Sequence, residues 1–139
     1  MKKIFFLFVL ILLLSGCSSL DVHREPGANL TSLKKLYVEH RLTDGRSIDL
    51  LITRELQRLG YEAASGPMTM MPGGTDAVVS YVDRWTWDFS SYMIELDIEV
   101  SDPRTSKILA TLRYFRPSLS GKTPEEMVQM TIDPLFRRG

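Results

Sequence analysis

"AVVSYVDRWTWDF", residues 77–89, decides the fold. Val79, Tyr81, Asp83, Trp85, Trp87 and Phe89 fall on one side of an extended chain and Val78, Ser80, Val82, Arg84, Thr86 and Asp88 on the other, because successive side chains of a strand point to opposite faces. The next segment keeps the rhythm. Ile94, Leu96, Ile98 and Val100 alternate with Met93, Glu95, Asp97 and Glu99. Past the turn Ser101-Asp102-Pro103-Arg104-Thr105-Ser106, Ile108, Ala110, Leu112 and Tyr114 alternate with Leu109, Thr111, Arg113 and Phe115. One apolar and one polar side per strand is the pattern of antiparallel strands with a single covered face. Setting Val100 opposite Ile108 places Asp97 against Thr111 and Glu95 against Arg113, an opposite-charge pair that helps fix register on the outer surface.

Helices must supply the cover. Ile48, Leu51, Ile52, Leu56 and Leu59 recur at helical spacing, with Asp49, Arg54, Gln57 and Arg58 opposite them. Ser47 is placed as the N-cap and Gly60 as a left-handed terminator. Upstream, Leu33 to His40 alternates as a first strand, followed by a turn at Thr43-Asp44-Gly45. Residues 62–76, "EAASGPMTMMPGGTD", have no period and read as an irregular connection. Met68, Met70 and Met71 either form a soft partner surface or fold back over the core edge. Near the end, Thr123, Pro124 and Glu126 form a capping box with proline in the first helical position. Met127, Val128, Thr131, Ile132 and Leu135 follow as an apolar stripe, and Pro134 is expected to kink or end the helix near Asp133. The expected fold is α+β, in the order β-α-β-β-β-α over residues 31–139: a single mostly antiparallel sheet with two helices packed on it.

The amino terminus has a different texture. Lys2 and Lys3 precede an unbroken apolar run from Ile4 to Leu14, and small residues follow, which is the layout of a secretory signal. As a helix that run covers only about 16 Å, roughly half a bilayer's hydrocarbon thickness. Leu14-Ser15-Gly16-Cys17 resembles the bacterial lipobox, which implies removal of residues 1–16 and a lipid anchor on Cys17. Two or more acyl chains hold a protein firmly to a membrane. Ser18, where an aspartate would signal retention in the inner membrane, implies the periplasmic face of the outer membrane. Residues 17–30, with Pro26 and Gly27, read as the lipidated cysteine and a flexible tether.

Little chemistry is written in the remainder. Seventeen basic residues balance seventeen acidic ones, and removing Lys2 and Lys3 leaves a charge near −2. No basic excess points to nucleic acid. A single cysteine permits neither an internal disulfide nor a cysteine zinc site. His23 and His40 are not spaced as a ligand pair, so no metal and no other cofactor is expected. Ser120-Gly121-Lys122-Thr123 ends like a phosphate-binding loop but has Arg116 where the motif needs glycine. No Gly-x-Ser-x-Gly elbow marks a nucleophile, and no catalytic residue is assigned. Glu95, Asp97 and Glu99 share one strand face, an arrangement open to a cation site or paired acid/base groups, but read in preference as a solvated surface beside Lys107 and Arg113. Trp85, Trp87 and Tyr92 are the candidate binding residues, for a glycan, a lipid or a protein hot spot. The indoles could equally be core packing, although Asp83 on the same side requires polar surroundings; Asp83 or Asp88 is expected to pair with Arg84 or Arg116.

The helix ending "RELQRLGYEA", the strand "TDAVVSYVDRW" and the hairpin "LDIEVSDPRTSKILA", behind a lipobox, resemble a loose group of periplasmic modules. The group includes the amino-terminal domain of TolB, the curli-secretion lipoprotein and the auxiliary lipoproteins of lipid-transporting ABC systems. This resemblance implies a non-enzymatic accessory subunit with an envelope protein partner. The alternative class is a ligand-binding module using the exposed aromatics.

Overall fold

The computed structural model describes residues 18–88, 90–117 and 122–137. Its strands are β1 (Ser19–Arg24), β2 (Lys35–Glu39), β3 (Glu62–Gly66), β4 (Ala77–Asp88), β5 (Ser90–Ser101) and β6 (Ile108–Phe115). Its helices are α1 (Ile48–Arg58) and α2 (Pro124–Phe136), and short 3-10 turns cover Leu30–Ser32 and Met68–Met70. All six strands form one sheet in the order β1-β6-β5-β4-β2-β3.

The α+β class and the central meander agree with the sequence pattern, but the sheet is mixed. Pairs β1–β6, β6–β5 and β5–β4 are antiparallel, whereas β4–β2 and β2–β3 are parallel. The parallel half follows from α1, which carries the chain from the end of β2 back to the start of β3, as a parallel neighbour requires. Both unexpected strands lie at sheet edges. β3 is made of Glu62, Ala63, Ala64, Ser65 and Gly66, small or polar residues with no apolar alternation, so main-chain pairing along β2 holds it in place. The flexible tether is corrected in the same way. Ser19 to Arg24 pair with Phe115 to Ala110 although all six residues are exposed.

Two details of the long hairpin also differ from expectation. Arg84 pairs with Glu95 but Trp85 pairs with Met93, so Ile94 is the extra residue of a bulge. Inward alternation therefore shifts, and Met93 is buried. Between β5 and β6 the register is displaced by two residues: Val100 faces Ala110, Asp97 faces Arg113 and Glu95 faces Phe115. Arg113 still joins both acids, its Nε lying 3.1 Å from Asp97 Oδ1 and 3.2 Å from Glu95 Oε1.

Both helices pack on one face of the sheet. Ile48, Ile52 and Leu56 of α1 are fully buried, while Leu51 is only half-buried at the rim of the same stripe. From α2 come Met127, Val128, Ile132, Leu135 and Phe136, set against Leu96, Ile98, Leu112 and Tyr114. Between the helices, Arg58 Nη2 lies 3.0 Å from Asp133 Oδ2 and also pairs with Glu55. Tyr61 donates its hydroxyl to the carbonyl of Phe136 at 2.7 Å and meets that ring edge-on. The capping box forms as expected, with Thr123 Oγ1 accepting from Glu126 N and Glu126 Oε2 accepting from Thr123 N. Pro134 does not end α2, which runs to Phe136. In the last turn the proline forgoes only one backbone bond, and Arg24 Nη2 donates to its free carbonyl at 2.7 Å. Gly60, with φ 96°, terminates α1 in the left-handed region.

Candidate functional site

The end of the sheet where β2 and β5's hairpin partner meet the start of α1 collects the polar side chains. The loop 40–47 leaves β2 and presses against the inward face of β4. Asp44, not Ser47, caps the helix. Its Oδ2 accepts from Ile48 N at 2.7 Å and Asp49 N at 3.4 Å, and its Oδ1 accepts from Arg46 N at 2.8 Å. Ser47 instead adopts φ 56° and makes no side-chain cap bond. A carboxylate suits this place because the first N–H groups of a helix lack partners and carry a positive end charge. Tyr81 adds a fourth donor, its hydroxyl lying 2.7 Å from Asp44 Oδ2.

These bonds set the titration of both groups. Burial alone raises the Asp44 pKa, but the Tyr81 hydroxyl and the N–H groups of Arg46, Ile48 and Asp49 outweigh it, and the carboxyl sits below its ordinary value. Burial and the adjoining Asp44 carboxylate push the Tyr81 phenol upward. Beside them, His40 Nδ1 lies 3.1 Å from Asp49 Oδ2. Asp49 is buried, and its Oδ1 has no hydrogen-bond partner. One ligand atom from each of His40, Asp44 and Asp49 lies within 4.8 Å of the others, the one grouping among the described residues close enough to share a cation. Asp44 is poorly available for that role because both of its oxygens already accept hydrogen bonds.

The candidate tryptophans divide here. Trp85 is half-buried against the core edge; its indole N–H donates to Asp83 Oδ2 at 2.6 Å, and the Arg46 guanidinium lies 3.9 Å over its ring. Asp83 pairs with Arg41 at 3.4 Å, a residue the sequence did not single out, and Arg46 also reaches Ser91 Oγ at 2.9 Å. Trp87, two positions further along the same strand, is 74 % exposed. Tyr92 is half-buried on the facing strand and pairs with Thr86. The three therefore form no common platform: one indole is bound on both its N–H and its face, and the other stands free. Within the β3–β4 connection Met68 and Met70 are exposed and cover no core edge, while Met71 is half-buried.

Among the described residues, no helix packs on the opposite face of the sheet. Glu95 is not solvated as expected but buried between Arg84, at 2.7 Å, and Arg113. Asp21, His23, Val82, Asp97, Glu99 and Arg113 line an open groove of about 810 Å³ on this face. Ser120 and Gly121 of the phosphate-loop look-alike fall outside the described residues, and Thr123 serves as the helix cap.

Cys17 also falls outside the described residues, but its place in the chain is informative. β1 begins at Ser19, two residues later. Residues 1–18 match the prokaryotic membrane lipoprotein lipid attachment site, and Cys17 is the one cysteine in the chain. No helix among the described residues is long and apolar enough to cross a membrane.

No curated protein matches the chain. Among solved structures, the chain is similar to the PelC dodecamer from Paraburkholderia phytofirmans, with 15% identity and a TM-score of 0.62 over 88% of this chain and 100% of that one. A point variant of the same PelC gives 14% identity and a TM-score of 0.65 over the same shares. A DUF4136 family protein from Bacteroides thetaiotaomicron is similar over 86% of this chain and 97% of its own, with 10% identity and a TM-score of 0.55. These likenesses concern the fold, and neither neighbour is of the TolB, curli-secretion or ABC-auxiliary groups that the pattern resembles. Fold and attachment site together describe a membrane-anchored lipoprotein with one α+β domain.

Proposed function

We propose that this chain is a non-catalytic accessory subunit of the cell envelope, held on the periplasmic face of the outer membrane and working by protein contact. The observation that carries this reading is the junction of anchor and sheet. With β1 starting at Ser19, the folded domain is held against the membrane that receives the lipids on Cys17. Such placement suits a subunit that assembles at a membrane surface. The polar groups at the end of the sheet support the same reading, since Asp44, Asp83 and Glu95 are engaged in capping, indole and arginine contacts. The PelC neighbour occurs as a dodecamer, and association with further copies of this chain is one form the proposed contact can take.

Crosslinking in intact cells, followed by membrane fractionation and purification of the chain, tests the proposal. Recovery in the outer-membrane fraction, in adducts with itself or with an envelope protein, is the expected result. Recovery in the inner membrane, or as an uncrosslinked single chain under every condition, overturns it.

A further inference from the structure

The strand register places the anchor and the β4–β5 hairpin tip at the same end of the molecule. Ser19 pairs with Phe115, Phe115 with Glu95, and Glu95 with Arg84, so these four residues form one row across β1, β6, β5 and β4. Beyond that row β1 and β6 stop, but the hairpin continues to the pair Asp88–Ser90. At the rise of a strand, Trp87 stands roughly 10 Å past the row. Cys17, two residues before Ser19, reaches at most roughly 7 Å past it. Three strand spacings separate β1 from β4, about 14 Å across the sheet. The hairpin tip therefore lies within reach of a bilayer that receives the acyl chains of Cys17.

The composition of the tip suits that meeting. Trp87 is largely exposed and Tyr92 lies on the facing strand, residue types that favour the boundary between hydrocarbon and water. Arg46 is exposed beside them, held by Ser91 and the face of Trp85, where its cation can face lipid phosphates.

We propose that the β4–β5 hairpin tip is a second membrane contact, with Trp87 and Tyr92 in the headgroup region of the bilayer that holds the Cys17 lipids. The proposal rests on the lipid anchor. It gives the domain a two-point footing and a fixed orientation: the sheet stands on its Ser19–Phe115 end, and the open groove of Asp97, Glu99 and Arg113 faces sideways.

The full lipidated protein, reconstituted in phosphatidylethanolamine and phosphatidylglycerol vesicles with bromine near the headgroup end of the acyl chains, provides the test. Bromine quenches only indoles at its own depth. Emission should fall in the parent and in Trp85→Phe, which leaves Trp87 as the one tryptophan. Trp87→Phe should lose that quenching and still co-float with the vesicles. Co-flotation with no quenching in the parent overturns the proposal and leaves the anchor standing, whereas a protein that does not float removes the anchor itself. Equal quenching in parent and Trp87→Phe overturns it too, because the lipid-facing indole would then be Trp85.

Discussion

The base and the tip of the β4–β5 hairpin are built from the same alternating sequence, yet they answer to different surroundings. At the base, Val79, Tyr81, Ile98 and Val100 lie under the helices with almost no exposure. At the tip, Trp85 is half-buried and Trp87 is largely exposed. Alternation tells which side of a strand a residue takes; whether that side is covered depends on where the helices end. The comparison teaches that strand pattern and burial are separate facts, and that a hairpin longer than its cover presents its large side chains to something else.

The difference can be broken by mutation. Ile98→Ala at the base should cost the most, about 2–5 kcal/mol, because it empties a space closed on all sides; urea unfolding followed by circular dichroism measures it. Trp85→Ala should cost roughly 2 kcal/mol, below the loss for a fully buried tryptophan, and should also release Arg46 and Asp83 from the indole. A Trp85→Ala variant as costly as Ile98→Ala would move the boundary of the core outward to the bulge.

Asp44→Ala comes next, at about 1–2 kcal/mol for the lost helix cap. Because the folded Asp44 carboxyl titrates below its ordinary value of 3.8, its stabilising contribution is present above that pH and is lost as pH falls from there through the folded value. The parent should therefore lose more stability than Asp44→Ala over that acid range, as seen in unfolding curves at stepped pH. Trp87→Ala should change stability least, within about 0.5 kcal/mol, as surface substitutions do. A large loss at Trp87 would mean that the tip is covered by the protein itself.

Much of this arrangement is legible in the sequence, and the misreadings share a cause. The stripe of Ile48, Ile52 and Leu56, the Thr123–Glu126 box and the alternation through β4, β5 and β6 are visible because buried side chains impose them. Edge strands escape notice for the opposite reason. β1 offers exposed Ser19, Leu20, Asp21, Val22, His23 and Arg24, and β3 offers small or polar residues, so their pairing is a matter of backbone bonds that any sequence can make. The bulge at Arg84 and Trp85 hides likewise, since one extra residue exchanges Met93 for Ile94 without a glycine or proline to announce it. At the candidate site, Trp85 and Trp87 are conspicuous by type, but Arg41, Arg46 and Asp44 are not. Their roles arise from a loop folding onto β4, and only the Asp44-Gly45 turn hints at it.

The pairing of β1 with β6 also has a consequence for how the chain is made. Ser19 joins Phe115, so the first strand of the domain waits for the last one before it can enter the sheet. Contacts so distant along the chain form slowly, and until β6 is complete β1 has no neighbour to pair with, because β6 is its one partner in the sheet.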